Sequence, residues 1–148
     1  MLFRSGAAAA FAGPIAQLCQ LETNGIHFSG MTSRGKTLAL RIAASAWSNS
    51  EPGHGLLSLW RSTDNAFEAS AAASNGTIMA LDEVKLANGK LVATTLFQLT
   101  SGTSKSRSNL KQTLQKRLQW TTFVVSSGEQ SLKEKVEADD GKIGRAHV

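Results

Sequence analysis

The chain of 148 residues contains a single cysteine, Cys19, so no internal disulfide can form. It has no run of about eighteen apolar residues, the length a helix needs to cross a bilayer. No segment recurs at a fixed period, which argues against solenoids and propellers. The histidines His27, His54 and His147 are scattered, with no second ligand at metal spacing, so a zinc site is not expected. Cys19 lies among apolar residues at helical spacing and is expected to be core, not a nucleophile. What remains is a reduced, cytoplasmic, single-domain protein, whose hydrophobic fraction of 41% is ordinary for one buried core.

An arginine followed by alanines at the start has the outline of a secretory leader. Its apolar stretch is short and weakly hydrophobic, however, and after Gly13 it runs directly into Pro14-Ile15-Ala16-Gln17-Leu18. A helix over Ala8 to Leu21 is the better reading, with Ala12, Ile15, Ala16 and Cys19 on one face and Gly13-Pro14 as its weak point. The two ends, residues 1–5 and 143–148, resemble translated read-through of a sequencing adapter, the alternative being real but unstructured tails. On the first reading the domain spans residues 6–142 and is an internal piece of a longer protein. Removing Arg4 and Arg145 lowers the formal charge from +5 to +3, or to +2 if Lys142 straddles the junction. So small an excess says little about nucleic acid.

Strands and helices are expected to alternate. Ile26-His27-Phe28-Ser29 reads as a short strand, and residues 36–47 as a helix buried on most of its surface. Residues 48–55 form a loop rich in glycine, and 56–60 a second strand. An alanine-rich helix over 64–74 has Thr63 or Asp64 as its cap and Asn75-Gly76 as its stop. Residues 77–81 are almost continuously apolar, a third strand ending at Asp82-Glu83. A helix over 91–99 precedes a basic stretch, 101–117, whose ends the pattern does not place. Residues 121–125 are a β-branched fourth strand that stops at Ser126-Ser127-Gly128, and 130–138 a charged helix. Strands apolar on both faces and alternating with helices imply a parallel sheet covered on both sides. The expected fold is therefore α/β, a three-layer sandwich with a mainly parallel sheet.

Gly30-Met31-Thr32-Ser33-Arg34-Gly35-Lys36-Thr37 has the spacing of a phosphate-binding loop. Such a loop needs glycines that let successive backbone N–H groups turn inward, a lysine that reaches the terminal phosphates, and a hydroxyl for Mg²⁺. By chance the pattern arises in about one chain in two hundred of this length, so the motif alone does not decide. Its context does: an apolar strand precedes it and a helix follows, with the positive end of that helix aimed at the phosphates. Gly30, Thr32, Ser33, Gly35, Lys36 and Thr37 are the expected nucleotide-binding residues. Asp82, at the end of a buried strand 46 positions beyond Lys36, is expected to share Mg²⁺ with Thr37, and Glu83 to polarise the attacking water. Lys36 and Glu83 are thus the catalytic candidates. A hydroxyl at the end of the fourth strand, Ser126 or its neighbour Ser127, can sense the γ-phosphate if that strand end shares the edge, and Ser126 is the expected residue. A plain turn at Gly128 is the rival reading, and Glu129 is a less favoured candidate for the same neighbourhood. Lys105, Arg107, Lys111, Lys116 and Arg117 can follow a nucleic-acid backbone. No aromatic residue stands among them to stack on bases, and a solvated charged loop fits them as well.

The strings Gly25-Ile26-His27-Phe28, Arg34-Gly35-Lys36-Thr37 with Ala39-Leu40-Arg41-Ile42-Ala43-Ala44-Ser45, Trp60-Arg61-Ser62-Thr63-Asp64-Asn65-Ala66, Leu81-Asp82-Glu83 and Ser126-Ser127-Gly128-Glu129 resemble the family called domain of unknown function 927. The tryptophan-containing string is more distinctive than the glycine loop. The resemblance extends from Ala8 to Asp140 and implies a P-loop NTPase core using ATP and Mg²⁺, with the strand order of ring-forming ATPases. It also implies a helicase-like or DNA-translocating role in mobile elements, with a homo-oligomeric ring as the parent assembly. The stretch after Glu83 departs from the family pattern. The fifth strand and the arginine inserted by a neighbouring subunit are expected to lie beyond this chain, and Arg145 is not assigned that role. A nucleotide-gated binding module that does not hydrolyse ATP is the alternative activity.

Overall fold

The computed structural model describes residues 1–31, 35–49, 56–60, 63–105 and 117–138. Four parallel strands form one sheet among the described residues: β1 (Asn24–Ser29), β2 (Leu57–Leu59), β3 (Ile78–Asp82) and β4 (Phe123–Gly128), in the spatial order β1-β4-β3-β2. The last strand of the sequence is therefore inserted between the first and the third.

Strict alternation along β3 and β4 divides the core into two layers. Ile78 and Ala80 of β3 and Val125 of β4 face Leu40, Ala43 and Ala44 of α3 (Lys36–Ser45) and Ala9 of α1 (Leu2–Ala9). Met79, Leu81 and Val124 face the opposite way, against Phe67 and Ala71 of α4 (Asp64–Ala73), Val92 and Leu99 of α5 (Gly89–Ser101), and Trp60 and Trp120. Leu132 and Val136, in a helix over 132–138 (α6), close this second layer. Successive strand side chains point to opposite faces, so a strand covered on both sides reads as a continuous apolar run. Each fully buried Leu, Ile or Met contributes roughly 1.5–3 kcal/mol, and β3 alone carries three of them.

Several boundaries differ from the sequence reading. The expected single helix over Ala8 to Leu21 is two, α1 and α2 (Ala12–Leu18), and the break falls at Ala10-Phe11, ahead of Gly13-Pro14. Pro14 lies in the first turn of α2, where its missing N–H has no helical partner to lose. Residues 2–5 belong to α1, and the Phe3 ring lies beside Gly35. Cys19, expected in the core, is exposed, and so are Ile15 and Leu18, because α2 packs through Gly13 and Ala16 instead. The helix expected over residues 36–47 ends at Ser45, and it buries one face only: Leu38 is exposed, as is Trp47 just beyond its end. The β4 strand, expected to stop at residue 125, continues through Ser126, Ser127 and Gly128, which sets aside the rival reading of a turn there; pairing with β1 as far as Ser29↔Gly128 supplies ladder partners for all three.

Local chemistry explains the ends of the other helices. Thr63 caps α4 by accepting from the Ala66 N–H, and Asn88 caps α5 by accepting from the Leu91 N–H at 2.8 Å. The distinctive Trp60–Ala66 string thus includes a buried core indole, 2% exposed, and a helix cap. At the far end of α5, Gly102 and Ser104 pair with Trp120 and Leu118, and Thr103 bridges Gln119 in antiparallel sense. These contacts place the base of the basic stretch, a two-stranded stem at the end of the sheet where β4 begins.

Gly13 sits against β3's entry so closely that a methyl group there would overlap the Thr77 carbonyl. Gly13→Ala is expected to lower stability by about 2 kcal/mol through overpacking. Asn88→Ala, which removes only a cap, is expected to cost about 1 kcal/mol. Urea unfolding of both variants, compared at equal slope, checks the values and their order.

Candidate functional site

The strand order brings three strand ends to one edge of the sheet. From β1 the chain turns through Gly30, at φ +141°, and returns through Gly35, left-handed at φ +79°, directly into the first turn of α3. A side chain at either position would be strained, so glycine is what lets the backbone make this turn. Lys36 is the first residue of α3, and its Nζ donates to the carbonyls of Gly30 and Met31, both at 2.7 Å. The ammonium therefore reaches back across the loop mouth. Thr37, next on the helix, is exposed.

A cleft of ≈ 210 Å³ opens at this edge. The loop and helix side supplies Gly35, Lys36 and Thr37; the β3 end supplies Asp82, Glu83 and Lys85; the β4 end supplies Ser127, Gly128 and Glu129. Asp82 is buried, and its Oδ1 accepts from the Glu83 N–H at 2.9 Å and from the Ser127 hydroxyl. One carboxylate oxygen is thus held in place by two donors. Glu83 is exposed and left-handed, at φ +57° and ψ +58°, a conformation that costs a non-glycine residue roughly 1–2 kcal/mol. Strain at a carboxylate facing a cleft is characteristic of functional positions.

Of the residues expected from sequence, Gly35, Lys36, Thr37, Asp82 and Glu83 line this one cleft. Gly30 forms the loop turn that Lys36 bonds, while Thr32 and Ser33 lie outside the described residues. Ser126 does not join the cleft. Ser127 stands there instead, bonded to Asp82, because adjacent strand residues point to opposite faces and the odd-numbered residues of β4 face α3. Glu129 lines the cleft too. Lys85 was not anticipated: a 3₁₀ turn (Val84–Leu86) after β3 brings it back to the cleft, and nothing in the local pattern announces that turn.

Ser126 points across the sheet to His27, its partner in the β1–β4 register. His27 Nε2 lies 2.9 Å from the Gln130 carbonyl, which can only accept, so Nε2 carries the proton. In the neutral ring Nδ1 then accepts from the Ser126 hydroxyl at 2.7 Å. Burial holds this imidazole below the ordinary histidine value of 6.5; the Gln130 carbonyl pulls the other way, and the positive charge of Lys36 adds to the lowering. His27 is accordingly neutral at pH 7.

Thr37 and Asp82 offer a hydroxyl and a carboxylate on the same cleft, hard oxygen donors of the kind Mg²⁺ selects. Among the described residues no cluster of three or more His, Cys, Asp or Glu could hold a metal by itself. No helix among them is long and apolar enough to cross a membrane. Of the five basic residues singled out from sequence, Lys105 and Arg117 are exposed at the foot of the stem, while Arg107, Lys111 and Lys116 lie outside the described residues.

None of the curated proteins matches the chain. A solved structure described as "SCCmec type IV Cch - active helicase" matches with a TM-score of 0.55 and 24% identity, over 88% of this chain and 24% of that one. This chain therefore spans about a quarter of that protein's length. The likeness shows the fold, a P-loop NTPase-like arrangement of helices around a parallel sheet. A family model described as "Domain of unknown function (DUF927)" matches residues 1–119, and the chain belongs to that family.

Proposed function

We propose that this chain is the ATP-binding and ATP-hydrolysing core of a helicase-like or DNA-translocating protein. The observation that carries the reading is the single cleft in which Lys36 and Thr37 of the loop face Asp82, Glu83 and Ser127 of two other strands. Residues 46 positions apart meet there because β4, inserted between β1 and β3, aligns the strand ends.

The chemistry asked of such a site is mostly positioning and electrostatics. Lys36 exchanges its bonds to the Gly30 and Met31 carbonyls for the β- and γ-phosphate oxygens of ATP. The N–H groups at the start of α3 point at the same phosphates, and the helix dipole favours their charge. Thr37 and Asp82 would hold Mg²⁺, which when bound would supply positive charge against the phosphates. Ser127, by donating to Asp82, fixes the orientation of that carboxylate. Glu83 takes up the proton of the attacking water and orients it.

The neighbour's description as an active helicase and the basic stretch over 105–117 support work on DNA as the coupled task. Lys105 and Arg117 mark the foot of a stem at the other end of the sheet from the cleft, so nucleic acid and nucleotide would meet different ends of the domain. A homo-oligomeric ring is the assembly in which such a core would act.

Binding of a fluorescent ATP analogue to the full 148-residue chain tests the nucleotide site. Lys36→Ala is expected to weaken Mg²⁺-dependent affinity about 30-fold, the loss of a charge-assisted contact. Equal affinity in the variant and the native chain would remove the lysine, and with it the loop, from the proposal. For Glu83→Gln the expected outcome is an affinity within about threefold of the native chain and a turnover reduced about 100-fold, since only the proton acceptor is lost. A native chain that binds ATP but turns none over, alone or within its parent protein, would instead identify a nucleotide-gated binding module.

A further inference from the structure

One wall of the phosphate-side cleft is three consecutive residues, Ser127, Gly128 and Glu129. The residues immediately before and after that wall, Ser126 and Gln130, are both bonded to one side chain from another strand. His27 accepts from the Ser126 hydroxyl through Nδ1 and donates to the Gln130 carbonyl through Nε2. The ladder between β1 and β4 ends at Ser29↔Gly128, so the bond to Gln130 extends the tie between these strands two residues past the sheet.

The wall is also packed tightly between its neighbours. A methyl group at Gly128 would overlap Val84, in the turn that follows Asp82 and Glu83, and would come within 3.2 Å of His27 Cε1. His27 and Val84 thus flank Gly128 closely enough to leave no space for a side chain at that point of the wall. A planar ring suits this place because it carries an acceptor and a donor on opposite edges at a fixed separation.

We propose that His27 is a positioning residue that clamps the Ser127–Glu129 wall, and thereby sets the hydroxyl of Ser127 against Asp82. The clamp rests on geometry alone; its consequence for the site rests on the nucleotide reading above. His27 lies outside the cleft and acts through the wall. Without its two bonds the β1–β4 ladder can fray from its end at Gly128 and Glu129, and Asp82 loses the fixed donor that orients it. Binding by the glycine loop does not depend on that wall, whereas the use of Mg²⁺ does.

The test uses the full chain carrying His27→Ala, His27→Gln or Ser126→Ala, the last keeping the test alive should the first not fold. Hydrogen exchange is followed across residues 126–131, with β3 as the internal reference, and affinity for a fluorescent ATP analogue is measured with and without Mg²⁺. For His27→Ala, exchange in 126–131 is expected to rise about tenfold with β3 unchanged, the signature of lost local bonds. The Mg²⁺-dependent gain in affinity should largely vanish while the Mg²⁺-free affinity stays native. His27→Gln, whose amide N–H can still reach the Gln130 carbonyl, is expected to restore most of both. Ser126→Ala should show a smaller rise in exchange. Unchanged exchange in 126–131, or a rise shared equally by β3, overturns the clamp. A local rise with a native Mg²⁺ response overturns the positioning role. A native chain that binds no nucleotide defeats the ATPase reading instead, and the exchange data still decide the clamp.

Discussion

The parallel pairing of β4 with β1 on one side and β3 on the other governs the arrangement of the rest. The register sets Phe28 and Ser29 opposite Ser127 and Gly128, and Leu81 opposite Ser126. In consequence the glycine turn after β1, the acidic pair after β3 and the end of β4 all emerge at one edge. Were β4 at the outside of the sheet, Asp82 would stand beside the loop with no hydroxyl between them. The cleft is therefore a product of strand order, and its contents come from residues that are far apart along the chain.

Polar groups at this edge are held mainly by one another. Asp82 is buried at the foot of the cleft and takes bonds from the backbone of Glu83 and the side chain of Ser127. Lys36 is satisfied by the carbonyls of its own loop. A buried carboxylate left without donors would be costly, so the network that presents Asp82 also stabilises the fold around it. The strained backbone of Glu83 is tolerated because β3 before it and the 3₁₀ turn after it are both anchored in the core through Leu81 and Val84.

The two faces of the sheet serve different purposes. On the α3 side, small residues such as Ala43 and Ala44 pack against Ile78, Ala80 and Val125, letting helix and strands approach closely. On the other side the larger residues Trp60, Phe67 and Trp120 fill the space under α4 and α5. His27 and Ser126 belong to this second side, although the wall they adjoin opens to the first. The alternation of β4 thus joins the two faces within a single pair of residues.

Much of this was legible in the sequence. The glycine loop, the apolar run ending at Asp82-Glu83, the Thr63 cap and the alternation of strands with helices are local patterns, and local patterns follow from backbone sterics and burial within a few residues. The break between α1 and α2, the exposure of Cys19 and the continuation of β4 through Ser127 were not legible, because each is decided by what packs or pairs from elsewhere in the chain. The choice between Ser126 and Ser127 is the clearest case: the two residues are chemically identical and adjacent, and only the face that each presents within a folded sheet distinguishes them. The sequence by itself determined which chemical groups were available, a lysine on a glycine turn and a carboxylate pair at a strand end. The tertiary structure alone decided which of them meet, since strand order and register, set by long-range pairing, determine what lies across a cleft.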